Sequence, residues 1–314
     1  MRIGVVTDAT CDLPPEFISE YGIGILPMTI GLGDSPLIDD RDPARTLKFY
    51  TEQLPDKALD AETQPLSADE IRNRFLDRIV LDYDYVFCVT ITATRAPMFE
   101  NATKASFAIL ADYKSTRAAA GIHDPFALRV VDSRSLFSGT AVLVAEAAKL
   151  ARLGTHPHEI RRRLDELREN ICGYLVPWDL HYIRTRGTRK GEKSVGLISY
   201  AIGSALAIKP VILCYRGETQ PVARIRNYER AVERMFQHVA RQIERGIDTR
   251  HVCVSYAGDP AQIPQLPGYA RLAAAAQARD VELLASMMSA TAAVNTGAKC
   301  VTVAYGGDLR SFRD

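Results

Sequence analysis

With 314 residues the chain is long for a single hydrophobic core, so two domains are the expected organisation. A hydrophobic content of 47% with 25% charged residues is ordinary for a soluble globular protein. The formal net charge of +1 argues against a nucleic-acid binder that relies on an overall positive field. Any electrostatic partner must therefore be met by a local patch of charge.

The first half of the chain alternates predicted strands with predicted helices, which indicates a parallel α/β sheet. Asp12 is the predicted N-cap of the first helix, and Asp42 and Ser67 are predicted to begin two later helices. Strands are predicted at 3–6, 23–32, 85–91 and 128–131, and helices at 14–21, from 43, from 67, after 97 and at 138–152. The helix at 138–152 is apolar on all sides, as a buried helix is. Ser135 and Ser138 at its start are predicted to be caps that face a ligand cleft.

The second half is predicted to be an α/β unit with a mixed sheet. Residues 210–215 and 219–225 are two apolar segments separated by the turn Arg216-Gly217-Glu218, so these two strands must be antiparallel. Helices are predicted at 156–170, 228–246 and 260–279, and further strands at 173–176, 251–258, 281–288 and 299–307. The predicted domains are 1–155 and 156–314.

The stretch YVFCVTITATRAPMFENA, residues 85–102, is the predicted ligand-binding edge of the first sheet. A buried strand gives way to Thr90, Thr92 and Thr94, and a helix begins after Pro97. Open α/β sheets bind ligands at the carboxyl ends of their strands, where hydroxyls and free N–H groups suit a negatively charged group. The same threonines are equally compatible with simple capping of the helix that follows.

Cysteine usage and hydropathy give the expected compartment. The six cysteines are scattered without CxxC or zinc spacing, which indicates reduced thiols in a cytoplasmic protein and predicts no metal site. No apolar run approaches the ~18 residues of a membrane span, and residues 1–10 lack a signal-peptide core.

The order of five motifs resembles the DegV family, bacterial proteins that bind a fatty acid between two α/β domains. Four of the motifs are VVTDATCDLP, YGIGILPMTIGLGD, ETQPLSADEI and VVDSRSLFSG, and the fifth is the hairpin segment GSALAIKPVILCYRGETQPVARIRN. Each motif is weak alone, but together they follow the family's order over nearly the whole chain. The resemblance implies a carrier of a long-chain fatty acid without a further cofactor. It implies no catalytic residue, and it implies a fatty-acid kinase as partner in bacteria that have one.

The chain departs from the family's pattern at the carboxylate-binding positions. The family's carboxylate-binding serine falls on Ala96, and the histidine of H-T-G-P-G-A falls on Ala293. Either local substitutes bind the carboxylate, or the ligand has another head group, such as that of a neutral lipid or an acyl ester. The predicted ligand-binding residues are Thr63, Gln64, Thr92, Thr94, Arg95, Arg184, Arg186, Asn295 and Thr296.

Two rival functions remain open at this stage. The first is a phosphate-ester hydrolase or phosphotransferase that uses Asp8. Phosphatase chemistry of this kind requires a D-x-D spacing, whereas Asp12 lies four residues after Asp8, so turn and capping roles are favoured for both. The second is a ligand-free regulatory module, which a tunnel plugged by Met98 or Phe99 would favour. The basic loop 184–193 is predicted to be either solvated or a transient contact with an acidic partner or a membrane surface.

Overall fold

A computed structural model describes residues 1–32, 35–52, 54, 60–180, 182–183, 185 and 208–312 of the chain. The strands of these residues form three sheets. None of the helices in these ranges is long and apolar enough to cross a membrane.

The first half begins with a strand and continues through alternating elements. In chain order these are β1 (Ile3–Asp8), α1 (Pro15–Glu20), β2 (Gly24–Leu26), β3 (Met28–Leu32), β4 (Ser35–Asp39), α2 (Pro43–Thr51), β5 (Glu62–Pro65), α3 (Ala68–Arg74), α4 (Val80–Asp82), β6 (Tyr85–Thr90), α5 (Met98–Ala108), α6 (Tyr113–Ala119), β7 (Ala127–Asp132) and α7 (Ser138–Arg152). A π-helical turn, Phe75–Ile79, joins α3 to α4.

The second half contains the remaining helices and strands. In chain order these are α8 (Pro157–Leu167), β8 (Ile171–Val176), β9 (Ile208–Tyr215), β10 (Glu218–Arg226), α9 (Tyr228–Arg245), β11 (His251–Tyr256), α10 (Tyr269–Ala278), β12 (Glu282–Met287), α11 (Ala290–Thr296) and β13 (Val301–Gly306). The predicted helix 260–279 is divided, because a 3₁₀ segment at Pro260–Gln265 precedes α10.

The fold is α/β, with a parallel sheet in the first half and a mixed sheet in the second, which confirms the predicted fold class. The N-terminal sheet has the order β2-β1-β6-β7, with all neighbours parallel. The C-terminal sheet has the order β10-β9-β8-β13-β11-β12, in which only the β11–β12 pair is parallel. The predicted hairpin is confirmed as β9 and β10.

A third, small antiparallel sheet of order β4-β3-β5 differs from the predictions. The stretch predicted as one strand at 23–32 is divided at Pro27 into β2 and β3, which lie in different sheets. Proline lacks the N–H that a continuous ladder needs, so the chain changes sheets there. This small sheet places Thr63 and Gln64 on a strand.

Helix starts follow the local chemistry at two predicted caps and not at the others. The Asp42 carboxylate accepts a hydrogen bond from the N–H of Arg45 at 2.7 Å, and Ser67 forms a capping box with Glu70, as predicted. The prediction for Asp12 was wrong, because α1 begins after Pro14 without a side-chain cap. Ser135 and Ser138 also do not cap α7, which follows Phe137.

Helix α7 lies between the two larger sheets. It contacts β1 and β6 on one side and β8, β11 and β13 on the other. Its apolar cluster combines Val5 and Phe87 of the N-terminal sheet with Cys253 and Ala304 of the C-terminal sheet. Burial on every side explains why α7 is apolar all round, as predicted. A domain boundary at 155/156 stays a prediction.

A second cluster of apolar side chains joins the two halves at the start of α7, where Phe137 directly precedes the helix, and we call it the interface cluster. Its buried members are Ile30, Phe49, Ala61 and Phe137 from the first half and Leu175, Ile212, Ala257, Met288, Ala290, Ala292, Ala293, Val294 and Cys300 from the second. Partly buried apolar side chains pack against it: Leu32, Leu37, Tyr50, Leu54, Leu136, Leu180, Ile183 and Ile208.

Candidate functional site

The carboxyl ends of β6 and β7 are held together by backbone hydrogen bonds. The N–H of Thr92 donates to the carbonyl of Ser135 at 3.1 Å. The Asp132 carboxylate accepts from the N–H groups of Ala93 at 3.3 Å and Arg134 at 2.8 Å. The predicted ligand edge is therefore a rigid pair of loops rather than a free strand end.

The tip of the β9–β10 hairpin inserts against this pair of loops. Thr94 Oγ1 donates to the Gly217 carbonyl at 2.8 Å, and the Gly217 N–H donates to the Arg134 carbonyl at 2.6 Å. Thr92 Oγ1 lies 3.2 Å from Thr94 Oγ1, and a β-carbon added to Gly217 would lie 2.9 Å from Thr92 Oγ1. Because the hydroxyl of Thr94 is bonded to the hairpin and that of Thr92 packs against it, both side chains position the second half on the first.

Arg95 extends the same contact between the halves. Its Nη2 donates to Thr219 Oγ1 on β10 at 2.6 Å, and the side chain is partly buried. Three of the predicted residues, Thr92, Thr94 and Arg95, therefore come together around one hairpin. Their shared role in the described residues is to orient this hairpin.

Thr63 lies beside the interface cluster, whereas Gln64 does not. Thr63 pairs with Ile30 across β3 and β5, and paired residues of neighbouring strands project from the same face of a sheet. Ile30 belongs to the interface cluster, so the partly buried Thr63 projects toward it. Gln64 is exposed on the opposite face because side chains alternate along a strand.

Asn295 and Thr296 occupy the last turn of α11 and bond back into their own helix. Asn295 Nδ2 donates to the Thr291 carbonyl at 2.8 Å, and Thr296 Oγ1 donates to the Ala292 carbonyl at 3.0 Å. Ala293 on the same helix is fully buried in the interface cluster. Arg184 and Arg186 lie outside the described residues, so the predictions for them stay untested.

A buried polar network links the two halves, and sequence reasoning missed it. Asp12 accepts from Ser255 Oγ at 2.7 Å and from the Ser289 N–H at 2.9 Å, and Arg41 Nη1 lies 3.5 Å from its carboxylate. Asp39 accepts from the Thr291 N–H at 2.7 Å. Each of these contacts joins the first half to the second, except the Arg41–Asp12 pair, which joins two loops of the first.

Arg41 completes this network from the start of α2. Its Nη2 donates to the Leu13 carbonyl at 3.0 Å, to Ser286 Oγ at 3.1 Å and to the Met287 carbonyl at 3.1 Å. Burial raises the pKa of Asp12 to about 6 and also raises the pKa of Asp39, while the Arg41 charge lowers both. A single Arg in the run DDRDP carries no sequence signal that sets it apart from surface arginines.

Comparison with known proteins identifies the family of this chain. Residues 2–307 match the family model described as "Uncharacterised protein, DegV family". The chain belongs to the DegV family. It is 46% identical over 312 residues to a DegV domain-containing protein of Xanthomonas campestris pv. campestris, with 99% of each chain covered. A DegV domain-containing protein of Xanthomonas axonopodis pv. citri is equally similar, at 46% over the same length.

Solved structures share the fold of this DegV-family chain at low identity. A stearic acid-binding protein from Eubacterium ventriosum superposes with a TM-score of 0.77 at 20% identity, with 99% of each chain covered. DegV of Bacillus subtilis, described as a fatty acid binding protein, gives a TM-score of 0.74 at 19% identity and covers 98% of this chain and 100% of that one. The Streptococcus pneumoniae fatty acid kinase (Fak) B3 protein, loaded with linoleic acid, gives 0.73 at 17% identity with the same coverage.

Asp8 of this DegV-family chain holds a loop and has no exposed surface. Its side chain is 0% exposed, and its carboxylate accepts from the Thr10 N–H at 3.0 Å, Thr10 Oγ1 at 2.5 Å and the Ile91 N–H at 2.7 Å. Burial raises its pKa. A nucleophile must reach its substrate, so the geometry favours the turn role over the phosphate-ester chemistry weighed for Asp8. Met98 packs in the outer core of the first half, away from the interface cluster.

The described residues also contain no group of three or more His, Cys, Asp or Glu side chains that could hold a metal ion. The Asp12 and Asp39 carboxylates are committed to the network between the halves.

Proposed function

We propose that the protein holds a long-chain fatty acid, or a related acyl lipid, between its two halves and presents the head group to a partner. The interface cluster carries this proposal. Apolar side chains from the small sheet, from the C-terminal sheet and from α11 converge there, and eight of its neighbours are only partly buried. Partly buried apolar groups that line one region from both sides are the surface that an acyl chain covers.

Burial of the acyl chain dominates the expected affinity. About 14 methylenes at about 0.8 kcal/mol each give roughly 11 kcal/mol before the costs of association. Each charge-assisted hydrogen bond to a carboxylate adds roughly 1.5–3 kcal/mol. The tail therefore supplies most of the binding free energy, and the polar residues set its orientation and the chemical identity of the head group.

Thr63 is the predicted head-group residue best placed for this role. Its side chain projects toward the interface cluster from the small sheet, while Ala96 and Ala293 have no hydrogen-bonding side chain. Thr92, Thr94 and Arg95 contribute by fixing the hairpin that covers the same region. Gln64, Asn295, Thr296, Arg184 and Arg186 remain candidates for the rim of the site.

Named relatives support both the ligand and a partner. The neighbours from Eubacterium ventriosum, Bacillus subtilis and Streptococcus pneumoniae are described as binding fatty acids, and the last carries the name of a fatty acid kinase protein. A fatty-acid kinase is accordingly the partner that we propose for this chain. Such a kinase would act on the carboxylate that the carrier presents.

Titration of delipidated protein with oleate tests the proposal. We expect a Kd below about 10 μM, which corresponds to roughly −7 kcal/mol, and a co-purifying C14–C18 acid in native mass spectrometry. An empty protein without oleate binding at that concentration contradicts the proposal. If such a protein hydrolyses a phosphate ester, the enzyme hypothesis replaces it.

Two neighbouring residues of β4 give a matched pair of variants. Leu37 packs against the interface cluster, whereas Ile38 lies on the other face and is 41% exposed. Leu37→Glu places a charge in the proposed acyl path and is expected to weaken oleate binding at least about tenfold, since burying an unpaired carboxylate is costly. Ile38→Glu should bind as the wild type does. Equal affinities in the two variants, with both folded, would place the acyl chain elsewhere.

A further inference from the structure

A cavity of about 300 Å³ opens beside the only tryptophan of the chain. Its lining consists of Trp178, Asp179, Tyr182, Lys209, Gly297 and Ala298. Gly297 directly follows Asn295 and Thr296 of α11, two of the predicted head-group residues, so the cavity continues from the end of that helix. Since one water occupies about 30 Å³ of liquid, the volume accommodates a phosphate-sized group with its hydration.

Two ammonium groups are held around the Trp178 ring. Lys299 Nζ lies 4.5 Å and Lys209 Nζ 5.7 Å from the ring centroid, which is a cation–π arrangement. Lys209 Nζ also donates to the Trp178 carbonyl. No carboxylate of the described residues pairs with either ammonium group. By contrast, Lys48, Lys104 and Lys149 each pair with a glutamate.

The walls of the cavity are fixed by contacts outside it. Trp178 packs edge-on against Tyr228, with ring centroids 4.8 Å apart, and the Tyr228 hydroxyl donates to the Lys299 carbonyl. The Tyr182 hydroxyl donates to the Val294 carbonyl at 2.8 Å, and a β-carbon at Gly297 would lie 3.2 Å from the Tyr182 ring. The indole and both lysine stems are therefore positioned before any ligand arrives.

We propose that Lys209 and Lys299, set around Trp178, form a binding site for a phosphate group. Lysine binds phosphate as a point charge, and two ammonium groups match a dianion better than the single charge of a carboxylate. Lys209 and Asp179 line the cavity, and Asp179 has an interaction of its own, while Lys299 follows the lining residue Ala298 and holds its ammonium group at the Trp178 ring. The phosphate comes either from an acyl phosphate or from free phosphate, and only the acyl assignment rests on the proposed function.

Trp178 reports on its own site because no other tryptophan contributes to the emission. Delipidated protein is titrated with dodecylphosphonate, dodecanoate and inorganic phosphate at about pH 9, where a phosphonate is largely dianionic and lysine stays charged. We expect dodecylphosphonate to bind at least about tenfold more tightly than dodecanoate, because two ammonium groups act on the second charge. Calorimetry checks each affinity independently of the fluorescence.

Variants of the two lysines decide whether these side chains cause the preference. Lys209→Met and Lys299→Met should each reduce the preference for the phosphonate to about threefold or less, and Asp179→Asn should tighten phosphonate binding by about threefold. Lys114→Met, on α6 in the first half, is the matched control and should keep the wild-type ratio. Equal affinities in the wild type, or an unchanged ratio in both lysine variants, overturn the proposal.

The remaining outcomes separate the sources of phosphate and the two proposals. Submillimolar binding of inorganic phosphate that either lysine variant abolishes assigns the site to free phosphate, whereas a response to dodecylphosphonate alone assigns it to an acyl phosphate. Phosphonate binding without dodecanoate or oleate binding would refute the proposed fatty-acid function and leave the phosphate site standing. Fatty-acid binding without a preference for the phosphonate would refute the phosphate site and leave the proposed fatty-acid function standing.

Discussion

Replacement of Arg41 by Met tests whether the buried network between the two halves stabilises the fold through charge. Met keeps much of the apolar stem and removes the guanidinium, which leaves the Asp12 and Asp39 carboxylates without their cation. Breaking a buried ion pair by removing one partner destabilises a protein by about 3–5 kcal/mol. We expect a loss of this size at about pH 7.5, where both carboxylates of the variant are at their most costly.

The loss should shrink at lower pH, and its direction follows from proton linkage. Burial raises the folded-state pKa of Asp12 to about 6, above the usual 3.8. A carboxyl group with a raised pKa stabilises the fold when protonated, and this stabilisation is lost as pH rises through the folded pKa. Between about pH 5 and 7.5 the wild type therefore loses about 1.4 kcal/mol through Asp12, because about one pH unit below the folded pKa contributes at about 1.36 kcal/mol per unit. Without Arg41 the pKa rises further, so the gap between variant and wild type widens by at least about 1 kcal/mol over this range.

Urea unfolding followed by Trp178 emission measures these free energies at the two pH values. Arg45→Met is the matched control, because Arg45, four residues later in the first turn of α2, is exposed and pairs with Asp40 at 3.1 Å. An exposed pair contributes about 0–1 kcal/mol, so this variant should unfold nearly as the wild type does at both pH values. If Arg41→Met costs no more than Arg45→Met, or the same at both pH values, the electrostatic account of the network is wrong.

Three further predictions concern single side chains. Asp12→Asn should remove about 1.4 kcal/mol of the pH dependence of unfolding between about pH 5 and 7.5, and curves parallel to the wild type would contradict this. Gly139→Ala should destabilise by about 1–3 kcal/mol although Ala is the better helix former, because the new β-carbon would lie 1.9 Å from Ser135 Oγ. Ser135→Gly in the same chain should recover part of that loss, and strict additivity in the double-mutant cycle would refute the contact. Thr63→Val should weaken oleate binding about tenfold and leave the affinity for methyl oleate unchanged. The control variant Gln64→Ala should change neither affinity. An equal loss of affinity for both ligands in Thr63→Val would assign Thr63 to packing.

Elements with a strong local signal could be predicted from the sequence. The apolar periodicity of α7, the Asp42 cap, the Ser67 capping box and the β9–β10 hairpin each depend on residues close together in the chain. For the same reason the fold class was accessible, whereas the small sheet of β4, β3 and β5 was not.

Long-range contacts could not be read from the sequence. Asp12 looks like a helix cap because a proline pair follows it, yet its partners Ser255 and Ser289 lie more than two hundred residues away. Thr92 and Thr94 were recognised as polar residues at a strand end, but only the folded chain brings Gly217 onto them. These contacts depend on tertiary structure, because they join residues more than a hundred positions apart in the chain.

The burial of α7 between two sheets limits how this protein can admit a ligand. Because each side of the helix is covered by a different half, a clamshell motion would strip one sheet from an apolar helix and hydrate both surfaces. Such a hinge is therefore disfavoured at the α7 side. Under the proposed function, a lipid would instead enter at the interface cluster, past partly buried residues such as Leu180 and Ile208, by local displacement of side chains. The rate of lipid uptake should accordingly depend on how tightly Leu180, Ile208 and their neighbours pack, and not on a large-scale opening of the molecule.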